Sequence, residues 1–188
     1  MSRRSLSSDQ FVQYALVFYG AMFVVSVAWI FFDPGISIET LFFWRSLDIL
    51  AIHLALGVSL AIFLHALTKE LNAKSDWSRR LTIWFKSELG HINTKTIFIL
   101  ALSSGIGEEL LFRGVIQQKS GVLIASLLFG LMHWPPRKEL RSWTYMAGIV
   151  GLLLGGMTEI ASSIVPAIIT HVLINFLNLR LIVRTRAL

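Results

Sequence analysis

The stretch Gly105–Gly114, written GIGEELLFRG, places two carboxylates and a guanidinium inside a sequence that is otherwise typical of a membrane-buried helix. The apolar run TIFILALSS precedes it directly. An ionised side chain at the centre of a bilayer costs about 2.5–3.5 kcal/mol on insertion scales, so charges at this depth usually mark a functional site. Glu108, Glu109 and Arg113 therefore need to pair with one another or to have a chemical role.

The composition of the chain indicates a membrane protein. Of its 188 residues, 55% are hydrophobic and only 15% are charged, whereas soluble domains carry about 25% charged residues. There is no cysteine, which excludes disulfides, thiolate nucleophiles and thiolate metal sites. The length suits one domain.

Long apolar runs predict an all-α, polytopic membrane bundle of about six transmembrane helices. The predicted spans cover residues 11–32, 45–67, 94–118, 121–134, 143–158 and 163–183. Segment 75–90 is too polar to span, but its aromatic residues recur at helical spacing opposite basic ones. We expect this segment to form one interfacial amphipathic helix.

The distribution of positive charge predicts the orientation of the bundle. Fourteen of the 17 Lys and Arg residues fall on one predicted side: Arg3, Arg4, Lys69, Lys74, Arg79, Arg80, Lys86, Lys95, Arg137, Lys138, Arg141, Arg180, Arg184 and Arg186. Arg45 and Lys119 fall on the other side. Basic loops favour the cytoplasm, so we expect both termini to be cytoplasmic. The basic excess is a topology signal, and we expect no nucleic-acid partner.

Polar side chains from three predicted spans lie at a similar depth. The two glutamates precede a predicted turn at 119–121 by about ten residues, and His133 follows it by about twelve. At 1.5 Å of rise per residue, these groups lie roughly 15–19 Å from the same membrane face. His171 lies about 12 Å from that face, and Asn175 lies one helical turn deeper. This convergence predicts a site.

The residue types at this depth favour hydrolytic chemistry. A partly desolvated carboxylate beside an imidazole can hold and deprotonate a water molecule. An imidazole and a carboxamide can donate hydrogen bonds to a developing oxyanion. The candidate residues are Glu108, His133, His171 and Asn175. The sequence contains neither a serine nucleophile elbow nor an HExxH motif.

Structural roles are the alternative for each polar residue. Glu109 and Arg113 are four residues apart and can form a clamp along one helix face. The same spacing of His171 and Asn175 would also suit hydrogen bonding between helices. Three polar residues of the second span have no aligned partner, and we expect them to serve packing or the lipid interface: Asp48, His53 and His65.

The fourth and fifth predicted spans are about 14–16 residues long, which is shorter than the ~20 residues needed to cross a bilayer. Pro135 and Pro136 end the fourth span. The short helices predict a water-filled funnel that reaches His133 from the cytoplasmic side.

Three motifs resemble those of the CPBP family, also called the ABI family, which is related to the type II CAAX prenyl endopeptidases. The first is EExxxR, at Glu108, Glu109 and Arg113. The other two are FxxxH at Phe129 and His133, and HxxxN at His171 and Asn175. The resemblance covers approximately residues 94–182, and the three motifs together are specific. It implies a catalytic core at 94–183 and an N-terminal membrane region at 1–93, within one structural domain.

The resemblance also implies a role for each motif residue. Glu108 is the water-activating base, assisted by His133, and Glu109 pairs with Arg113. His171 and Asn175 form the oxyanion hole, and Phe129 supports the site.

The family has been described both as glutamate-type and as metal-dependent. We favour the glutamate-type mechanism without a cofactor, because no further intramembrane acid is free to orient the histidines as zinc ligands. The zinc alternative would use Glu108, His133 and His171.

The resemblance predicts an intramembrane endopeptidase in a prokaryotic plasma membrane, acting on a membrane-associated peptide or protein within the lipid bilayer. The alternatives are a non-catalytic membrane protein for bacteriocin self-immunity and a proton-coupled transporter. The absence of an inverted repeat disfavours the transporter.

Overall fold

The chain folds into an all-α bundle, as the apolar runs predict. The computed structural model describes residues 7–42 and 46–185, and no strand occurs within them. Four basic residues used in the topology prediction lie outside the described residues: Arg3, Arg4, Arg45 and Arg186.

Eight α-helices carry the described part of the chain, together with one π-helical and one 3-10 segment. The helices are α1 (Ser8–Phe32), α2 (Ile38–Leu41), α3 (Leu47–Lys74), α4 (Asp76–Leu89), α5 (Thr94–Glu109), α6 (Gln117–Met132), α7 (Ser142–Ala161) and α8 (Val165–Arg184). The π-helical turn Leu110–Ile116 joins α5 to α6, and the 3-10 turn Lys138–Leu140 precedes α7. The predicted interfacial helix is α4, and its polar and apolar residues lie on opposite faces.

Gly121 turns the third span back on itself. The helical stretch Thr94–Met132 has 39 residues, but Gly121 inside it has φ 81° and ψ 169°, a conformation that glycine adopts readily. The rings of Phe112 and Phe129 lie 5.1 Å apart, whereas a straight helix would separate them by about 25 Å. The stretch is therefore a hairpin, with its turn where the sequence predicts it.

The described residues contain five stretches that are long and apolar enough to cross a membrane. One of these is the hairpin Thr94–Met132, which holds both the third and the fourth predicted spans. The chain is an integral multi-pass membrane protein.

The prediction that the fifth span is short is wrong. Helix α7 has 20 residues, enough to cross a bilayer. It continues beyond the apolar run because Gln117 donates hydrogen bonds to the Gly155 carbonyl, at 3.1 Å, and to the Glu159 carboxylate, at 2.9 Å. Polar residues at the end of α7 are thus paired within the bundle.

The two ends of the bundle differ in charge. At one end, Lys119 in the hairpin turn forms a 2.7 Å ion pair with Asp33 after α1. At the other end lie α4, the connection 133–141 and the last residues of α8, where Lys86 donates hydrogen bonds to the carbonyls of Val183 and Thr185. We call this second end the basic end. The predicted orientation makes it cytoplasmic.

Two glycines beside the glutamates allow close contact between helices. A Cβ atom on Gly107 would lie 2.9 Å from the backbone oxygen of Tyr19 on α1, and one on Gly105 would lie 2.9 Å from the backbone nitrogen of Val172 on α8. Both distances are shorter than a Cβ atom tolerates. The glycines therefore let α1 and α8 pack directly against the backbone of α5.

We expect Gly107→Ala to lower the stability of the bundle, because α1 must move away from α5 to admit the methyl group. Overpacking of this kind costs about 1–3 kcal/mol. Thermal unfolding in detergent, followed by tryptophan fluorescence, measures the change. The matched control is Gly20→Ala, since no atom lies within 4 Å of a Cβ atom there. Equal midpoints for Gly107→Ala and wild type would contradict this packing.

Candidate active site

Glu108 is a buried carboxylate near the end of α5, and two imidazoles face it from other helices. Its Oε2 atom lies 3.6 Å from Nε2 of His133 and 3.9 Å from Nε2 of His171. This Oε2 atom has no hydrogen-bond partner among the described residues. The structure thus brings together one acid and two histidines that the sequence analysis placed at one depth.

His133 directly follows α6 and is held in a defined tautomer. Its Nδ1 atom lies 2.7 Å from the Phe129 carbonyl oxygen. A carbonyl oxygen only accepts hydrogen bonds, so Nδ1 is the donor and Nε2 of the neutral ring is an acceptor. Trp143 packs edge-on against the ring at 5.3 Å, and Thr144 donates a hydrogen bond to the His133 carbonyl. The FxxxH spacing therefore places the Phe129 carbonyl where it orients His133.

His171 is held by the second glutamate. Its Nδ1 atom donates to Oε1 of Glu109 at 2.6 Å, and the same oxygen accepts a 2.8 Å hydrogen bond from Arg113. The predicted clamp between Glu109 and Arg113 is present, with both side chains buried. The sequence analysis did not find that Glu109 also orients His171, since α8 lies more than 50 residues further along the chain.

Arg113 extends this network to the neighbouring helices. It donates a 3.0 Å hydrogen bond to the Gly151 carbonyl on α7. Its guanidinium also lies 4.5 Å from the centre of the Phe129 ring, within the range of a cation–π interaction. One guanidinium thereby connects the hairpin, α7 and the acid that orients His171.

Asn175 lies one turn along α8 from His171 and contacts Ser104 on α5. Its Nδ2 atom donates a 2.8 Å hydrogen bond to Oγ of the buried Ser104. Ser104 in turn donates to the Ala101 carbonyl at 3.2 Å. Ser104 therefore fixes the orientation of the carboxamide. The sequence analysis missed this residue because a serine in an apolar helix carries no distinguishing signal.

The part of the chain that forms this site is similar to a known protein family. The family model described as "Type II CAAX prenyl endopeptidase Rce1-like" matches residues 91–177, a range that contains all three motifs. Residues 91–177 are therefore similar to the Rce1-like family. The resemblance inferred from the motifs is thus confirmed.

A curated relative of the chain is the uncharacterized protein YpbD of Bacillus subtilis (strain 168). It is 33% identical over 105 residues, which cover 49% of this chain and 54% of YpbD. The chain thus matches about half the length of this relative. No solved structure matches the chain significantly.

The zinc alternative requires Glu108, His133 and His171 to bind one ion. The argument that no acid is free to orient a zinc ligand is wrong, because Glu109 orients His171. However, within residues 7–42 and 46–185 no group of three His, Cys, Asp or Glu side chains is arranged to hold a metal ion. The mechanism proposed below involves no step at a metal.

Two histidines of α3 lie outside the Rce1-like segment. The expectation that His65 lacks an aligned partner is wrong, because its Nδ1 atom lies 2.8 Å from Oδ1 of Asn178 on α8. The sequence could not show which face of α8 meets α3. His53 is buried, and its Nδ1 atom has no hydrogen-bond partner among the described residues.

We expect Arg113→Met to destabilise the protein strongly, because it leaves Glu109 charged and without its cation inside the bundle. Breaking a buried ion pair costs about 3–5 kcal/mol. The double variant Glu109→Gln with Arg113→Met removes both charges and should recover part of this loss. Thermal unfolding in detergent gives both values.

The control for this pair is Lys119→Met, which removes the cation of the partly exposed ion pair with Asp33. Such a surface pair contributes little to stability. Equal losses for Lys119→Met and Arg113→Met would show that the Glu109–Arg113 pair is no more important than a surface contact.

Proposed function

We propose that the protein is an intramembrane endopeptidase of glutamate type, in which Glu108 is the general base. One observation carries this proposal: Oε2 of Glu108 is buried without a hydrogen-bond partner among the described residues, and two histidine Nε2 atoms face it within 4 Å. A buried carboxylate left without a partner is costly. A water molecule that enters this space before attack would satisfy it.

The hydrogen-bond roles at the site suit a water molecule. Glu108 accepts hydrogen bonds as a carboxylate, and His133 accepts at Nε2 because Nδ1 donates to Phe129. A bridging water donates one proton to each of them and directs a lone pair of its oxygen toward a substrate carbonyl. The distance of 3.6 Å between the two acceptors exceeds a direct hydrogen bond. These two residues would therefore hold and activate the attacking water.

Charge balance favours a doubly protonated His171. The buried cluster contains two carboxylates, Glu108 and Glu109, against the single guanidinium of Arg113. A second positive charge on His171 makes the cluster neutral, which lowers the cost of holding it in a membrane. Nδ1 then donates to Glu109, and the Nε2–H group is available for an oxyanion.

Asn175 would supply the second oxyanion donor. One N–H of its carboxamide is bound by Ser104, and the second N–H remains for the substrate. Removing a single oxyanion donor from other hydrolases lowers kcat by about 10²–10³. In the proposed step, Glu108 takes a proton as the water oxygen bonds to the carbonyl carbon. It then returns that proton to the leaving nitrogen as the C–N bond breaks.

The substrate is proposed to be a membrane-associated peptide or protein that enters from the bilayer. His133 lies after the short α6, with its side chain 17% exposed, whereas the two glutamates are almost fully buried. Water would thus reach the site from the basic end, which we propose faces the cytoplasm of a prokaryotic cell. The alternative is a non-catalytic protein for bacteriocin self-immunity, and it requires none of this hydrogen-bond arrangement.

We expect Glu108→Gln to abolish cleavage, because the amide cannot accept the proton from the water. General base catalysis contributes about 10²–10⁴ to the rate. The measurement compares the peptides in membranes that express wild type, Glu108→Gln or no protein. Peptides that depend on wild type should disappear in the variant.

The control for this comparison is Glu70→Gln, which changes an exposed acid paired with Lys74 on α3. It should leave the peptide profile unchanged. If Glu108→Gln gives the wild-type profile while the protein remains folded, the protease proposal fails. If the peptide profile is unchanged and the variant also loses protection of the cell against a bacteriocin, the immunity function is favoured.

We expect cleavage by the purified protein to continue after metal chelation, since the proposed mechanism uses only side chains and water. The assay follows a peptide found in the membrane comparison, before and after dialysis against a chelator. Loss of activity that is restored by one equivalent of zinc would overturn the glutamate-type mechanism. It would also favour the zinc alternative, in which Glu108, His133 and His171 are the ligands.

A further inference from the structure

A pocket at the basic end lies apart from the candidate active site. It has a volume of about 340 Å³ and lies between the end of α3, the amphipathic α4 and the end of α8. Its lining residues are Lys69, Asn72, Arg79, Thr82, Ile83, Leu181 and Thr185. None of them belongs to the three motifs, so the pocket requires its own explanation.

The lining contains two cations and no acid. Lys69 forms no ion pair with any residue in the described part of the chain. Arg79 pairs at 3.1 Å with Asp76, but both side chains are largely exposed and such a pair contributes little. The pocket therefore has an excess of positive charge that an anion would balance.

One neutral polar residue of the pocket, Asn72, also favours an anion. Oδ1 of Asn72 already accepts hydrogen bonds from the hydroxyls of Ser78 and Thr82. The group of Asn72 that remains is its amide N–H₂, which only donates. The hydroxyls of Thr82 and Thr185 donate their protons to hydrogen bonds within the protein. The donors that remain for a phosphate are therefore Lys69, Arg79 and the N–H₂ group of Asn72.

The position of the pocket points to a lipid as the source of this phosphate. The pocket lies where two membrane helices end and where the amphipathic α4 lies along the bundle. Ile83 and Leu181 add apolar surface beside the basic groups. Basic pockets between membrane helices at this level bind anionic headgroups.

We propose that this pocket binds the phosphate headgroup of an anionic phospholipid. The phosphate contacts Lys69, Arg79 and the N–H₂ group of Asn72, while the glycerol and upper acyl atoms pack on Ile83 and Leu181. Because Arg79 and Ile83 belong to α4 and Lys69 belongs to α3, the bound lipid connects α4 to the bundle. This inference goes beyond the proposed protease function and does not depend on it.

The test is a titration of the purified full chain in a neutral detergent with dioctanoyl phosphatidylglycerol, followed by the thermal unfolding midpoint. We expect a saturable rise in the midpoint. In the double variant Lys69→Gln with Arg79→Gln, the apparent affinity should fall about thirtyfold. Each basic residue near an anionic lipid raises the affinity about fivefold, and the variant removes two of them. The assay measures binding rather than cleavage, so its failure is distinguishable from failure of the protease proposal.

The matched control is Lys74→Gln with Lys95→Gln, which removes two positive charges at the same end but outside the pocket. It should bind the lipid as wild type does. Parallel titrations use dioctanoyl phosphatidylcholine and inorganic phosphate, and neither should shift the midpoint over the same range. The proposal would be overturned if phosphatidylcholine or free phosphate shifted the wild-type midpoint as much as phosphatidylglycerol does. It would also be overturned if the pocket variant bound phosphatidylglycerol as wild type does. Equal losses in both double variants would overturn it as well.

Discussion

The arrangement of the candidate active site depends on the carboxylate of Glu109, which accepts hydrogen bonds from Arg113 and His171 through one oxygen. A buried charge is costly unless it is paired. Arg113 pairs with it from the π-helical turn and also binds the Gly151 carbonyl, while His171 pairs with it from α8. The hairpin, α7 and α8 are thereby fixed around one buried acid.

Close packing of the backbone makes this pairing possible. His171 reaches Glu109 only because α8 lies directly against α5. Gly105 allows that close contact, since a Cβ atom at this position would collide with Val172. Gly107 allows the same on the side of α1. The glycines of GIGEELLFRG are thus as necessary to the site as its charges.

The sequence was sufficient for the helices and for the depth of the polar residues, because both follow from apolar length and helical rise. It also predicted the pairing of Glu109 with Arg113, which are neighbours on one helix. It did not predict the contacts from His171 to Glu109, from Asn175 to Ser104 or from His65 to Asn178. Each of these depends on the rotation of α8 about its axis, which is set by packing. The π-helical turn after Glu109 was missed as well, since no residue type signals it.

The two adjacent glutamates differ in their hydrogen-bond partners, although they lie side by side on α5. Glu109 lies where the guanidinium and the oriented imidazole meet, so its charge is compensated within the protein. Glu108 is rotated about 100° from it and faces two Nε2 atoms, of which the one on His133 is an acceptor. Oε2 of Glu108 therefore lacks a hydrogen bond within the described part of the chain, because Nε2 of His133 is an acceptor and Nε2 of His171 lies 3.9 Å away. This division leaves Glu108 with a buried oxygen that has no hydrogen-bond partner among the described residues, which is what the proposed role as a hydrolytic base requires.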